Sequence, residues 1–204
     1  MSRKPFVLGL TGSIGMGKST TAGFFRNKGV PVWDADAAVH RLYAPQGLAV
    51  SGIASICPDA VSDSGVDRAK LRDWIAKDET AIKKLEQVVH PLVAEDRRSF
   101  IVQCGKDGHD LVIVDVPLLF ETGGNASVDA TLVVSAPPDL QKARVLERPG
   151  MTEDHFARIL ASQMPDAEKR KRADFVIETI SLEVAQHAAE KVLQDLRIRI
   201  ADHA

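Results

Sequence analysis

Short apolar runs alternate along the chain with longer segments in which apolar residues recur at helical spacing. Residues 6–10 and 111–114 are apolar on both faces, as is typical of central strands in a parallel sheet. Three further runs are predicted as strands, at residues 30–33, 131–134 and 175–177. The alternation predicts an α/β fold with a central five-stranded parallel sheet.

Two long excursions interrupt this alternation. Residues 37–108, between the second and third strands, indicate several helices and no strand. Within them His90-Pro91 predicts the restart of a helix, because proline is well accommodated in a first turn. We expect this block to be a helical insertion that binds substrate. The second excursion, residues 147–172, lies between the fourth and fifth strands and precedes a closing helix over residues 181–199.

A phosphate-binding loop follows the first strand and opens a helix over residues 18–28. Residues 12–19 match the pattern G-x-x-x-x-G-K-[ST] in full. The glycines allow backbone N–H groups to point at phosphate oxygens, and the helix N-terminus adds to this field. Lys18 is expected to bridge the β- and γ-phosphates, and Ser19 to offer its hydroxyl to Mg²⁺. The residues expected to bind ATP here are Gly12, Ser13, Ile14, Gly15, Met16, Gly17, Lys18, Ser19 and Thr20.

Acidic residues follow two of the predicted strands. Asp115 directly follows the apolar run at residues 111–114. An aspartate at this place in a phosphate-binding-loop protein can hold Mg²⁺ directly or through water. Asp34 and Asp36 end the second strand, at the carboxyl edge where open α/β sheets bind ligands. Their spacing predicts that both lie on one side of the strand, so that one can accept the proton of an attacking hydroxyl. The alternatives are that Asp115 merely ends its strand and that the other two cap the next helix.

Basic residues surround the second excursion. Arg144 and Arg148 are four apart at the end of a predicted helix, which places them on one face, where they could contact transferred phosphate on a mobile flap. The alternative is a pair of solvated arginines. For the basic run at residues 169–172 the favoured interpretation is a solvated helix face.

The bulk properties exclude several classes of partner. The 204 residues carry a formal net charge of −2, which gives no basic field to attract nucleic acid or a membrane surface. Cys57 and Cys104 are far apart and outside any C-x-x-C pair, which predicts reduced thiols. No apolar stretch approaches the roughly 20 residues of a membrane span. We therefore expect a cytoplasmic monomer or small homo-oligomer with no nucleic-acid or membrane partner.

A phosphate-binding loop alone does not separate a kinase from a GTPase switch or a mechanical ATPase. The GTPase switch is excluded because both of its motifs are absent. No aspartate lies three residues before a glycine, so there is no D-x-x-G motif. Asn27-Lys28 is followed by Gly29-Val30, so there is no guanine-binding N-K-x-D motif. The carboxylates after the second strand favour a kinase that phosphorylates a small-molecule hydroxyl. Another metabolite or nucleotide as acceptor, or a non-kinase ATPase, stays open at this point.

Several motifs occur in the same order as in a known family. They are residues 10–20, Asp34-Ala35-Asp36, His90-Pro91-Leu92, the sequence Asp-Val-Pro-Leu-Leu-Phe-Glu at residues 115–121, Gln163 and Ala173-Asp174. With them the chain resembles the dephospho-CoA kinase family over nearly its whole length. It departs from that family's usual residues at Ser13, His40 and Thr179.

The resemblance implies phosphorylation of the ribose 3′-hydroxyl of dephospho-CoA by ATP with Mg²⁺, the last step of coenzyme A biosynthesis. It implies a P-loop NTPase three-layer sandwich with a helical CoA-binding insertion at about residues 37–108 and a lid at about residues 147–172, here called the lid segment. By the same resemblance Asp36 is the general base, and Asp34 and His90 lie near the acceptor. Arg144 and Arg148 are lid-side phosphate contacts, and the catalytic residues are Asp36, Lys18 and Arg144.

Overall fold

The structure is a computed structural model that describes residues 4–202. Its centre is a five-stranded parallel sheet with the strand order β2-β5-β1-β6-β7, which confirms the predicted fold class. The strands are β1 (Phe6–Thr11), β2 (Val32–Asp34), β5 (Leu111–Asp115), β6 (Ala130–Ser135) and β7 (Phe175–Glu178). All residues of β5 and β6 are buried, as the apolar runs predicted. Parallel pairing aligns the strands' carboxyl ends at one edge of the sheet.

The sheet belongs to a compact unit, here called the sheet unit, which comprises residues 4–33 and 101–202 as described. Its first and last helices pack on each other and on the face of β1 that carries Leu8 and Leu10. Phe25 and Leu196 are among the buried residues of this core. The helices of the unit include α1 (Lys18–Asn27), α6 (Pro138–Leu146), α7 (Glu153–Ala161), α8 (Asp166–Arg172) and α9 (Leu182–Asp202).

Residues 34–100 form a second compact unit, here called the insertion unit, with an apolar core of its own that includes Leu42, Ile53 and Leu71. Its helices are α2 (Ala35–Tyr43), α3 (Val50–Ile56), α4 (Arg68–Lys77) and most of α5 (Ala81–Lys106). Two sequence predictions are wrong here. The unit contains a short antiparallel pair, β3 (Val61–Ser62) and β4 (Gly65–Val66), where no strand was predicted.

The second wrong prediction concerns His90-Pro91, which starts no new helix. Pro91 lies inside α5, which runs without interruption from Ala81 to Lys106. The proline removes a single N–H donor from the helical hydrogen-bond pattern, and the long helix tolerates that loss. The helix boundary that was predicted from Pro91 is therefore absent from the structure.

Two predictions from the bulk properties concern cysteines and membranes. Cys57 and Cys104 are buried free thiols. Over residues 4–202, none of the helices is at once long enough and apolar enough to cross a bilayer.

Candidate nucleotide-binding and catalytic site

The phosphate-binding loop lies between β1 and α1, and its backbone depends on glycine at two positions. Gly17, the N-cap residue of α1, has a φ of 86°, a left-handed conformation that glycine adopts at little cost. At Gly12 a Cβ atom would lie 2.7 Å from the carbonyl oxygen of Val134 in β6. The loop is therefore packed directly against the neighbouring strand.

Lys18 and Asp115 bring the phosphate-binding loop and the end of β5 together. The Lys18 ammonium donates to Oδ1 of Asp115 at 2.5 Å, and the carboxylate side chain is only 1% exposed. The lysine side chain remains 17% exposed, and the adjacent Ser19 is exposed. This arrangement places a cation, a carboxylate and a hydroxyl-bearing residue in the region where a nucleotide's phosphates and a metal ion would bind.

Two glutamines hold the backbone of Ile14 in the middle of the loop. The Gln141 side chain on α6 donates to the Ile14 carbonyl oxygen at 2.7 Å. The Ile14 N–H donates to Oε1 of Gln163, just after α7, at 3.1 Å. The sequence analysis assigned no role to either glutamine, because the spacing of apolar residues shows only that they lie in or near helices.

Arg144 and Thr179 connect α6 to the end of β7. The Arg144 guanidinium donates to Oγ1 of Thr179 at 2.9 Å and to its carbonyl oxygen at 2.6 Å. The threonine hydroxyl donates in turn to the carbonyl oxygen of Met16 at 2.8 Å. Thr179 therefore joins the arginine to the phosphate-binding loop. The sequence analysis noted only that this residue differs from the one usual in the family and did not predict the contact.

The predicted common helical face of Arg144 and Arg148 is wrong. Helix α6 ends at Leu146, and Arg148 lies beyond it in an exposed bend. Pro149 follows, and the residue before a proline disfavours helical backbone angles. Only Arg144 is held against the phosphate-binding loop through Thr179, while Arg148 is exposed in the lid segment.

A buried ion pair joins Lys169 of α8 to Glu121, which follows β5. The Lys169 ammonium lies 2.9 Å from Oε1 of Glu121, and its side chain is 0% exposed. It also donates to the Pro117 carbonyl oxygen at 3.3 Å, while the Met164 N–H donates to the same glutamate oxygen at 2.8 Å. The interpretation of residues 169–172 as a solvated face is therefore wrong for Lys169. A run of basic residues carries no signal for the one position that faces inward.

The Glu121 carboxyl is held in its charged form. Burial raises the pKa of this group, but hydrogen bonds from Lys169, the Met164 N–H and its own N–H together outweigh burial. Its pKa consequently lies below the usual value of 4.5. The ion pair is therefore intact at neutral pH and ties the end of the lid segment to the loop after β5.

The insertion unit carries the remaining candidates. Asp34 is the N-cap of α2 and accepts the Ala37 N–H at 2.9 Å, so the capping alternative is correct for this residue. Asp36 lies in the first turn of the helix and is exposed, so the prediction of one shared strand side is wrong. Strand β2 ends at Asp34, so Asp36 lies in a helix, and the alternation of side chains along a strand does not relate the two residues. His90 is exposed on α5.

Comparison with known proteins decides the family. The family model described as dephospho-CoA kinase matches residues 6–183. The chain belongs to the dephospho-CoA kinase family. A dephospho-CoA kinase from Cereibacter sphaeroides is 56% identical over 194 residues, which cover 95% of this chain and 97% of that protein.

Solved structures show the same fold. TT1252 from Thermus thermophilus is 34% identical, with a TM-score of 0.82, and the match covers 95% of this chain and 98% of that one. A dephospho-CoA kinase from Campylobacter jejuni has a TM-score of 0.67 at 22% identity, with coverage of 95% and 98%, and shows the shared fold.

Membership of the dephospho-CoA kinase family establishes the class of reaction. The chain is a transferase that phosphorylates dephospho-CoA, a reaction of coenzyme A biosynthesis. A P-loop kinase of this family uses ATP together with a divalent metal ion. The acceptor alternatives that were open from the residues alone are thereby closed.

Proposed function

We propose that this dephospho-CoA kinase transfers the terminal phosphoryl group of ATP to the ribose 3′-hydroxyl at the phosphate-binding loop. The observation that carries the proposal is the contact between Lys18 and Asp115 at the adjoining carboxyl ends of β1 and β5. A buried carboxylate positions the lysine, and the loop's N–H groups complete an anion site. When ATP binds, the ammonium contacts the β- and γ-phosphates and stabilises charge on the bridging oxygen as the bond to γ-phosphorus breaks.

The donors in this region fit Mg²⁺. This ion prefers oxygen ligands and keeps several waters, so one hydroxyl, one carboxylate and phosphate oxygens suffice. Ser19 would supply the hydroxyl, and Asp115 would supply the carboxylate directly or through water. Within residues 4–202 no group of three or more His, Cys, Asp or Glu residues is arranged to hold a metal ion. Bound there, Mg²⁺ would neutralise charge on the β- and γ-phosphate oxygens.

Asp36 is the proposed general base. Its exposed carboxylate has no helix-capping bond, in contrast to Asp34, whose Oδ1 already accepts the Ala37 N–H. In the reaction Asp36 accepts the proton of the 3′-hydroxyl while that oxygen bonds to γ-phosphorus, and ADP leaves with the former bridging oxygen. Asp34 orients the first turn of α2 and thus the position of the base.

The remaining roles belong to the arginines and to the insertion unit. Arg144 and Arg148 are proposed to contact the nucleotide's phosphates, the first from its anchored position beside Thr179 and the second from the lid segment. Residues 37–108 are proposed to bind the CoA moiety, with His90 near the acceptor. An exposed, flexible arginine can reach a phosphate only after the segment that carries it has closed.

The experiment is a coupled ADP-release assay with dephospho-CoA, nucleoside monophosphates and shikimate as acceptors. We expect turnover with dephospho-CoA alone, and we expect ³¹P NMR of the product to show a new monoester at the ribose 3′ position. Turnover that is faster with another acceptor, or a phosphate at the 2′ position, would overturn the proposal.

A further inference from the structure

Residues 13–16 of the phosphate-binding loop form a hydrogen-bonded turn. The Met16 N–H donates to the Ser13 carbonyl oxygen at 3.2 Å, with Ile14 and Gly15 as the two central residues. Ile14 keeps a negative φ, whereas Gly15 has a φ of 78°. This combination defines a type II turn, whose third residue needs the left-handed conformation that glycine adopts at little cost.

Type I and type II turns differ in the peptide group between the two central residues, here the Ile14–Gly15 peptide. Between the two types this group rotates by about half a turn. The carbonyl oxygen and the N–H of a trans peptide point in opposite directions, so the rotation exchanges the positions of an acceptor and a donor. Glycine at the third position is compatible with both types. The residues of the turn therefore do not by themselves select one orientation.

Gln141 on α6 holds this peptide in its type II orientation. Its Nε2 donates to the Ile14 carbonyl oxygen at 2.7 Å, and the glutamine is buried. Helix α6 also packs closely on the turn, because a Cβ atom at Gly15 would lie 2.5 Å from Cγ2 of Val145. Rotation of the peptide would turn its oxygen away from Nε2 and deprive a buried donor of this acceptor, which is unfavourable. The bond therefore favours one of the two orientations that the loop's sequence allows.

The preceding peptide group of the turn is held from a different segment. The Ile14 N–H donates to Oε1 of Gln163 at 3.1 Å. The next residue, Met164, donates its N–H to Glu121 at 2.8 Å, which fixes the backbone beside the glutamine. Loss of the Gln141 bond should therefore affect the Ile14–Gly15 peptide while the start of the turn stays in place.

We propose that Gln141 is a positioning residue for phosphate binding, which acts by holding the Ile14–Gly15 peptide in the type II orientation. Loops of this pattern bind phosphates through backbone N–H groups, and a rotated peptide presents an oxygen in place of one N–H. Molecules with the rotated peptide bind nucleotide poorly, so the apparent affinity falls with the fraction of molecules that keep the native turn.

The inference rests on the proposed nucleotide site, and the two can fail separately. Binding of ADP with Mg²⁺ to the native protein tests the site. Variants of Gln141 test the inference, because they leave Lys18, Ser19 and Asp115 unchanged.

The sequence allows the central peptide of the turn to be observed by itself. The dipeptide Ile-Gly occurs once in the 204 residues, at Ile14-Gly15. Protein labelled with ¹³C′-isoleucine and ¹⁵N-glycine therefore gives one ¹³C′-coupled amide signal in NMR spectra, from Gly15. Gln141→Met keeps the length of the side chain and removes the donor. We expect one sharp signal from the native protein and a second signal or exchange broadening from Gln141→Met. Saturation of the variant with ADP and Mg²⁺ should restore one signal, because the ligand favours the native turn.

Isothermal titration calorimetry with ADP and Mg²⁺ measures the consequence for binding. One hydrogen bond is worth about a factor of 2 to 10, so Gln141→Met should weaken binding by about that factor. The loss of affinity should equal the loss in the population of the native turn, obtained from signal areas or relaxation dispersion.

Gln103→Met is the matched control. This exposed glutamine on α5 also donates through Nε2, to Asp107 at 2.8 Å, and its substitution should alter neither the Gly15 signal nor the affinity. Thermal melting curves verify that each variant is folded. If Gln141→Met does not fold, Gln141→Asn, which shortens the amide side chain by one methylene, takes its place with the same expectations.

Two results would overturn the inference. Unchanged affinity for ADP in a folded Gln141 variant would show that the glutamine does not position the loop for phosphate. Weaker affinity together with a single sharp Gly15 signal would show that Gln141 acts through the general packing of α6 and not through the orientation of the turn.

Discussion

The two units of this dephospho-CoA kinase differ in how several of their polar and charged residues are held. In the sheet unit, Lys18, Arg144 and Lys169 each contact a specific oxygen of another residue, at distances between 2.5 and 2.9 Å. In the insertion unit, Asp36 and His90 are exposed. These three cations of the first unit are fixed by their partners, whereas Asp36 and His90 lie on the surface of the second unit.

This difference agrees with the roles that we propose for the two units. Phosphate binding gains most from groups that are already fixed, because no reorganisation is then needed when charge develops. A general base, by contrast, must meet a hydroxyl that arrives with its own substrate. Its geometry is completed only when the acceptor is bound. Substitutions in the sheet unit should therefore alter nucleotide chemistry or stability, and those in the insertion unit should alter acceptor chemistry.

The largest expected effect concerns Lys18. Lys18→Ala removes a charge that contacts Asp115 at 2.5 Å, and turnover should fall about 10³-fold or more, as for other charges that stabilise a transferring phosphoryl group. The measurement is steady-state ADP release with dephospho-CoA. Lys28→Ala is the matched control, because this exposed lysine pairs with Glu190 on the surface. Near-normal turnover by a folded Lys18→Ala protein would contradict the role of the loop.

The second prediction addresses the insertion unit. Asp36→Asn should lower turnover by about 10²- to 10⁴-fold, the usual value of general-base catalysis, with ATP affinity little changed. Asp34→Asn is the informative partner, since its amide oxygen can still accept the Ala37 N–H and preserve the cap. A change in turnover then measures the effect of losing the negative charge of Asp34, because the cap of α2 is kept. If Asp34→Asn is the more damaging change, the two roles must be exchanged.

The contrast between the units also explains what the sequence could predict. The sheet and the phosphate-binding loop follow from local patterns, because apolar runs and glycine spacing determine them directly. Lys169 and Gln163 act through partners that are 48 and 149 positions away in the chain, Glu121 and Ile14, and no periodicity encodes such pairs. Where two local rules competed, as at Pro91, tertiary packing of α5 decided the outcome.

The third prediction concerns stability in the sheet unit. Lys169→Met leaves Glu121 charged in a buried position, and loss of one partner of such a pair costs about 3 to 5 kcal/mol. Urea unfolding at neutral pH measures it. The double variant Lys169→Met with Glu121→Leu should recover part of the loss, because no unpaired charge then remains. Lys171→Met is the matched control, since its ion pair with Glu168 is exposed. Equal stabilities of the Lys169 and Lys171 variants would contradict the buried pair.

The same pair predicts a pH dependence. The pKa of Glu121 is lower in the folded protein than its usual 4.5, so its contribution to the free energy of unfolding is fully present above pH 4.5. That contribution is lost as the pH falls below 4.5 and through the lowered pKa. The difference in unfolding free energy between the native protein and Lys169→Met should therefore narrow with acidification. A difference that stays constant below pH 4.5 would show that Glu121 is not the partner whose charge matters.

The smallest effect is expected from Arg144→Lys, which keeps the positive charge and changes only the shape of the donor. The native guanidinium makes two bonds to Thr179, and a lysine can make one at most in the same geometry. Loss of one hydrogen bond is worth about 1 kcal/mol, so turnover should fall about fivefold. Arg26→Lys, at an exposed position in the last turn of α1, is the matched control.

Thr179→Val provides the converse test, because it removes the hydroxyl that joins Arg144 to Met16 and leaves the arginine intact. If the anchored arginine matters through its position, Thr179→Val and Arg144→Lys should lower turnover to a similar degree, and the double variant should lose little more than either. Additive losses would mean that the two residues act separately, and then the fixed contacts of the sheet unit would not account for the role of Arg144.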